Sequence, residues 1–257
     1  MGLGKIEKSQ IKKYLKELRL PGIREYFDEY IRLAIKDSIS YEQFFLGLLE
    51  YESEYRYESR ISRYLRQSGL PSEKRMDTFD LKRLPFKINQ LVKTLTAGDF
   101  INRHENVLVF GVPGSGKTHL LCALGHELIK QNKRVLFTTC SILVQELLIA
   151  KRDLLLAKKL SKLSKFEAII IDDIGYVQQS REEMEVLFTL LADRYERSSI
   201  MLTSNLPFSK WEVIFKDPMV TAAAIDRLVH HSIILELNMP SYRMEYAKNS
   251  KQGAKED

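Results

Sequence analysis

The sequence predicts an α/β fold, a parallel sheet covered by helices, with an all-helical N-terminal domain ahead of it. Three observations carry this. From Asn106 onward, short apolar runs alternate with segments of helical spacing, the pattern of parallel strands joined by helical crossovers. The first run leads into Gly111-Val112-Pro113-Gly114-Ser115-Gly116-Lys117-Thr118, a complete G-x-x-x-x-G-K-[ST] phosphate-binding loop set between strand and helix. Residues 5–70, in contrast, place their apolar positions at helical spacing, with almost no strand signal.

Taken in order, Ile6, Ile11, Tyr14, Leu15 and Leu18 share one helix face, and Leu20-Pro21-Gly22 breaks that run. Ile23 to Ile35 is a second helix, with Ile23, Tyr26, Phe27, Tyr30, Ile31 and Ala34 on its apolar side. Ser40-Tyr41-Glu42-Gln43 has the capping-box form and opens a third helix through Phe44, Phe45, Leu48 and Leu49 toward Gln67. Gly69-Leu70-Pro71-Ser72 ends the helical region. Residues 72–103 read as a connector in which Thr78-Phe79-Asp80 is extended, Pro85 breaks any helix before it, and Asn89 to Leu95 is a short helix.

Val107 to Phe110 is a buried strand, and His119 to Lys130 is a helix through Leu120, Leu121, Leu124, Leu128 and Ile129. Val135 to Thr139 is a strand, and Ser141 caps a helix from Ile142 to about Lys151. Then come a strand at Ala168–Ile171, a helix at Glu182–Glu196, a strand at Ser199–Thr203, a helix at Ala222–Val229 and a last strand at Ser232–Leu237. The expected domains are 1–75 (helical, for DNA or a partner), 76–103 (connector), 104–243 (nucleotide-binding) and 244–257 (a frayed tail).

Composition narrows the class. The 257 residues, 44% hydrophobic, suffice for one large domain or a large and a small one. No run of eighteen apolar residues and no export signal occurs, so a soluble, cytoplasmic protein with no membrane partner is expected. Cys122 and Cys140 are too few for a disulfide framework and read as small core residues of a reducing compartment. Forty Lys and Arg against 34 Asp and Glu give a net charge of +6, which permits a polyanionic partner. The five histidines show no ligand spacing, and His230-His231 on a strand would point to opposite faces.

The loop explains the chemistry expected. A triphosphate needs many donors at close range, and Gly111, Gly114 and Gly116 let consecutive backbone N–H groups curl around it. Val112, Pro113 and Ser115 complete the cradle, Lys117 reaches the β- and γ-phosphates, the Thr118 hydroxyl ligates Mg²⁺, and His119 follows on the helix whose positive end faces the same anion. Asp172 and Asp173 end an apolar strand at the sheet edge where Mg²⁺ and water would lie. Asp172 is assigned to the metal and Asp173 to the attacking water. Asn205, after the next strand, either touches that water or the γ-phosphate, or is a turn residue before Leu206-Pro207; Thr203 and Ser204 are neighbouring candidates. Arg227 is either a solvated helix charge or an arginine that reaches a neighbouring subunit's γ-phosphate, and Arg243 is a second cation to weigh. Two basic stretches, Lys151, Arg152, Lys158, Lys159, Lys162 and Lys165, and Arg56, Arg60 and Arg63 among tyrosines, would track a nucleic-acid backbone or form salt-bridged helix faces.

These motifs together, Phe100 to Asn106, GVPGSGKTHL, IIIDDIGY, MLTSNLPFSKW and AAAIDRLVHHSIILELNMPSYR, resemble the DnaC-like AAA+ ATPases. Within them the chain is most similar to the IstB-type transposition helpers of insertion sequences, and Leu18 to Ile23 and Leu48 to Arg56 match in style. The resemblance implies an AAA+ core without a full helical lid, ATP and Mg²⁺ as cofactors, and self-association into a ring or spiral. It also implies assembly on target duplex DNA and recruitment or stimulation of a transposase encoded by the same element. It makes Asn205 a sensor residue and Arg227 an arginine finger. Asp173 stands where many AAA+ enzymes carry Glu, which implies slow hydrolysis used as an assembly switch. The alternative is a replicative helicase loader, which shares the ATPase core but grips a helicase instead of duplex DNA and a transposase. A metabolic P-loop kinase would need an acceptor motif, and none is visible.

Overall fold

The computed structural model describes residues 5–175, 180–215 and 217–242. The chain falls into two compact units, Met1–Arg63 and Tyr64–Asp257.

The first unit holds α1 (Lys5–Glu17), α2 (Pro21–Asp37) and most of α3 (Tyr41–Ser68). The expected break at Pro21 is a helix start: proline sits in the first turn of α2, where its missing N–H has no intrahelical partner to lose. The capping box is present, with the Gln43 N–H donating to Ser40 Oγ at 3.3 Å and the Ser40 N–H to Gln43 Oε1 at 3.4 Å. Ile23, Phe27 and Leu48 are the buried centre, with Ile11, Leu15, Tyr30, Ile31 and Phe44 packed around them. Tyr26 stacks on Tyr51 with ring centroids 4.2 Å apart.

In the second unit, Thr78-Phe79-Asp80 is a turn rather than the extended segment expected. The Thr78 hydroxyl accepts from the Arg75 N–H at 3.1 Å and lies 2.8 Å from the Glu73 carbonyl, so a side chain supplies the local bonds that a strand would seek elsewhere. A short 3₁₀ turn at Leu81–Arg83 follows, then α4 (Phe86–Thr96) and α5 (Asp99–Asn102). The remaining elements are β1 (Asn106–Gly111), α6 (Lys117–Lys130), β2 (Val135–Thr139), α7 (Cys140–Arg152), α8 (Leu156–Leu163), β3 (Ala168–Ile174), α9 (Arg181–Arg194), β4 (Ser199–Ser204), α10 (Glu212–Phe215), α11 (Pro218–Val229) and β5 (Ser232–Leu237).

The strands form one sheet in the order β2-β3-β4-β1-β5, with every pairing parallel. β1 lies between β4 and β5, which is why Val107, Leu108 and Val109 are fully buried and read as an unbroken apolar run. Leu108, Ile169, Ile171, Ile200 and Leu202 pack with Leu143, Leu147, Leu187, Leu190 and Leu228 of α7, α9 and α11. The pairing of β3 with β4 skips: Ile171 lies opposite Leu202 and Ile174 opposite Ser204.

Three details differ from the sequence reading. Thr139, not Ser141, caps α7, its Oγ1 accepting the Ile142 N–H at 3.4 Å. The basic stretch after Asp153 contains a helix, α8, whose Leu160 and Leu163 pack inward. His230 and His231 precede β5 instead of lying on it. Their rings are 4.2 Å apart, and with Glu196 they bring three exposed potential ligand atoms within 4.8 Å of one another. Sequence spacing could not show this, because Glu196 comes from the end of another helix. Among the described residues no helix is long and apolar enough to cross a membrane.

Candidate nucleotide site

β1, β3 and β4 end on one edge of the sheet, and the side chains singled out in the sequence meet there. β1 delivers the chain into the phosphate loop at Gly111, and α6 carries it away from Lys117. A Cβ on Gly111 would come within 2.4 Å of the Leu237 carbonyl oxygen, and one on Gly114 (φ +81°) within 2.1 Å of Ser241 Oγ. The glycines therefore also make room for the chain that leaves β5.

Lys117 is 7% exposed. Its Nζ donates to the Gly111 and Val112 carbonyls at 2.9 and 3.0 Å and to Asn205 Oδ1 at 2.5 Å. Asn205 Nδ2 donates to Asp173 Oδ1 at 3.0 Å. The structure thus brings Lys117, Asn205 and Asp173 into one chain of contacts, although 88 residues separate the first two. In parallel, the hydroxyls of Thr118 and Thr203 both donate to Asp172 Oδ1 at 2.7 Å. The Asp173 N–H donates to Thr203 Oγ1, also at 2.7 Å, and Asp173 has φ +66°.

A cavity of about 220 Å³ opens beside the loop, lined by Gly114 to His119 on one side and by Thr78, Phe79, Arg83, Met239 and Tyr242 on the other. The far wall is stitched to the loop. The Tyr242 N–H donates to the Gly114 carbonyl at 3.0 Å, Arg83 donates to the Pro240 carbonyl at 3.1 Å, and the Arg83 guanidinium lies 5.1 Å from the Tyr242 ring centroid. His119 Nε2 lies 3.2 Å from Thr78 Oγ1 and 3.1 Å from the Arg75 carbonyl, so it holds the turn bearing Phe79. Phe79, Arg83 and Tyr242 escaped the sequence reading as wall residues.

The donor set fits a magnesium-bound triphosphate. The backbone of a loop at the start of a fourteen-residue helix supplies N–H groups and a positive helix end. Thr118 and Asp172 juxtapose the hydroxyl and carboxylate oxygens that a hard divalent cation prefers. Ser115 Oγ is buried beside the cavity with no protein partner, which a phosphate oxygen would satisfy.

Other expected residues lie elsewhere. Arg227 sits near the C-terminal end of α11, which feeds the opposite edge of the sheet. Its Nη1 donates to the Ala223 carbonyl at 3.0 Å, and its guanidinium lies 4.8 Å from the Phe188 ring centroid. It does not join its own chain's phosphate loop. Arg243 lies outside the described residues. Lys151 pairs with Glu185 at 2.9 Å and Lys159 with Glu146 at 2.6 Å, while Lys158, Lys162 and Lys165 are exposed, as is Arg152. Arg56 pairs at 2.6 Å with Glu52, a buried carboxylate that also accepts the Ile23 N–H at 2.9 Å, and donates at 2.6 Å to the Arg19 carbonyl. The pair thereby ties α3 to α2 and to the turn that precedes it. Arg60 is half-buried and Arg63 exposed.

Arg194 was invisible to sequence reasoning, because arginine is ordinarily a surface residue. It is 1% exposed and donates to the carbonyls of Leu163, Phe166 and Ser199 at 3.0–3.1 Å. Burial lowers its pKa to about 10, which leaves it charged at neutral pH. It closes the C-terminal end of α8 onto the starts of β3 and β4. Cys122 and Cys140 are both buried, and burial pushes the Cys122 thiol up to about 12, so it stays protonated and inert.

Comparisons with known proteins identify the family and the fold. The family described as IstB-like ATP binding protein matches residues 13–251. A protein of Sinorhizobium fredii named as an insertion sequence ATP-binding protein is 40% identical over 96% of this chain and 83% of its own length. One of Geobacillus stearothermophilus, named for ATP binding and for insertion sequence IS5376, is 37% identical over 92% of this chain and 94% of its own. Among solved structures, DnaI superposes with a TM-score of 0.55 at 22% identity, over 66% of this chain and 95% of that one, a likeness of AAA+ fold alone.

Proposed function

The chain belongs to the family of IstB-like ATP binding proteins and is an ATPase of the AAA+ P-loop class, and on that premise we propose that it regulates DNA transposition. In this reading it assembles on target duplex DNA when ATP and Mg²⁺ are bound, and it recruits or stimulates the transposase of its own insertion sequence. The observation that carries the proposal is the convergence of Lys117, Thr118, Asp172, Asp173 and Asn205 on one sheet edge, in a chain whose relatives are named for insertion sequences.

Thr118 and Asp172 would hold Mg²⁺, which neutralises phosphate charge as the bond to the γ-phosphate breaks. Lys117 moves from its loop carbonyls to the phosphates, and the Asn205 amide, now sharing that lysine and Asp173, senses whether a γ-phosphate is in place. Asp173 orients the attacking water and takes its proton. A carboxylate one methylene shorter than Glu reaches less far, which favours slow hydrolysis that times disassembly. Arg227, remote from its own loop, acts on a neighbour's nucleotide, so hydrolysis requires assembly. The exposed Lys158, Lys162 and Lys165, with Arg152 and the Arg60 and Arg63 row, supply the contacts to DNA phosphates.

The test is binding of the full chain to duplex and single-stranded probes, with ATP, with ADP and without nucleotide. The expected result is tight duplex binding that requires ATP and weakens as salt rises. Binding confined to single strands, together with capture of a replicative helicase, would establish the loader alternative instead.

A further inference from the structure

We infer that Thr203 is the positioning residue that sets both aspartates of the ATPase centre. The inference rests on the reading of Asp172 and Asp173 as the metal-side and water-side carboxylates. An unbroken strand sends adjacent side chains to opposite faces, so two neighbouring carboxylates would not serve one nucleotide together. β3 escapes that rule through its skip in pairing: Ile171 pairs with Leu202 and Ile174 with Ser204, so Asp172 and Asp173 together stand opposite Thr203. The bulge turns Asp173 into the left-handed region at φ +66°, which is unfavourable for a residue with a Cβ and persists only where its surroundings hold it.

The Thr203 hydroxyl bonds that backbone directly. Its oxygen accepts the Asp173 N–H at 2.7 Å, and its proton goes to Asp172 Oδ1 at 2.7 Å. One hydroxyl thus fixes the backbone of one aspartate and the side chain of the other. Thr203 is 1% exposed, so water cannot take over either bond. The two contacts lead to both halves of the site. Asp172 Oδ1 also receives the Thr118 hydroxyl, and the Asp173 carboxylate receives the Asn205 amide that bonds Lys117. Only a hydroxyl can accept and donate at once in this space. Valine has the same shape and does neither, whereas serine does both.

Two measurements on the full chain test this: ATP affinity by calorimetry in excess Mg²⁺ and in EDTA, and steady-state kcat and KM. Thr203→Val should lose about 10- to 100-fold in kcat and in the affinity gained from Mg²⁺, the loss typical of groups that orient metal ligands. ATP affinity in EDTA, set by the loop and Lys117, should stay at the parent value. Thr203→Ser should recover most of both losses. Should Thr203→Val not fold, Thr203→Ala removes the hydroxyl without pressing a methyl on the Asp173 amide, and carries the same expectations. A Val or Ala variant equal to the parent, or a Ser variant as impaired as the Val one, would overturn the inference. So would failure of both Val and Ala to fold while Ser folds, since the hydroxyl would then serve stability alone. A parent whose ATP affinity ignores Mg²⁺ overturns the metal reading and the inference together; a responsive parent with an unimpaired Thr203→Val overturns the inference alone.

Discussion

At the scale of single residues, the site divides into charge that binds and charge that reacts. The Lys117 ammonium is buried against two loop carbonyls and the Asn205 amide, so it is already desolvated when the phosphates arrive. Lys117→Ala removes the cation from a largely dry contact, and losing one partner of such a pair costs about 2–5 kcal/mol, roughly a 30- to 5,000-fold loss of ATP affinity. Calorimetry checks it, and unchanged affinity would remove Lys117 from the site. Asp173→Asn keeps the side-chain shape and one oxygen for Asn205 but cannot take a proton. It should bind ATP normally and hydrolyse it about 100-fold or more slowly, the lower end of what a general base contributes. The same variant should stay longer on DNA, because hydrolysis is proposed to release it. A normal turnover rate would transfer the base role elsewhere.

At the scale of elements, α8 is the informative piece. Its inner side, Leu160 and Leu163, packs on the core, and Lys159 is turned back to Glu146 of α7. Placing Glu at Lys159 would set two carboxylates together and damage the fold as well as the surface. The clean test is therefore Lys158, Lys162 and Lys165 to Glu. That variant should bind all duplex sequences more weakly by the same factor and lower the salt slope by up to about 3 per subunit. ATP affinity should not move. Parent-like DNA binding and salt slope would clear α8 of the role. Arg194 fastens the end of the same helix. Arg194→Met leaves the carbonyls of Leu163, Phe166 and Ser199 without its guanidinium, and each buried acceptor so orphaned costs about 1–3 kcal/mol. A clear fall in thermal midpoint is expected, and a variant as stable as the parent would show that α8 closes onto the sheet without it.

For the whole molecule, the position of Arg227 matters more than its charge. It lies near the end of α11, on the side of the sheet away from its own loop, so any catalytic use of it needs a second subunit. Arg227→Ala should leave ATP binding intact and reduce ATPase activity only under assembling conditions. Mixing it with Lys117→Ala should restore part of the activity, because an intact loop then meets an intact arginine at some interfaces. No rescue in the mixture would leave Arg227 as a surface cation that covers Phe188.

The sequence by itself determined the sheet strands, the phosphate loop with its flanking strand and helix, and the choice of Lys117, Thr118, Asp172, Asp173 and Asn205, which meet beside that loop. Each of these is written locally. A buried parallel strand needs an apolar run, an exposed helix needs an apolar stripe, and a loop that wraps a phosphate needs glycines at fixed spacing. The capping box at Ser40 and the break at Pro21 were legible for the same reason. Only the tertiary structure decided what depends on partners remote in the chain. The skip between β3 and β4 lets both aspartates face one site. Arg56, Lys151 and Lys159 turn toward carboxylates, whereas Lys158, Lys162 and Lys165 are exposed. Thr78-Phe79-Asp80 folds into a turn under a threonine hydroxyl and meets Tyr242 across the cavity, joined through an Arg83–Pro240 bond spanning 157 residues. Spacing along a sequence records which face of its own element a residue shares. Which other element covers that face is set by packing among many, and no local period encodes it.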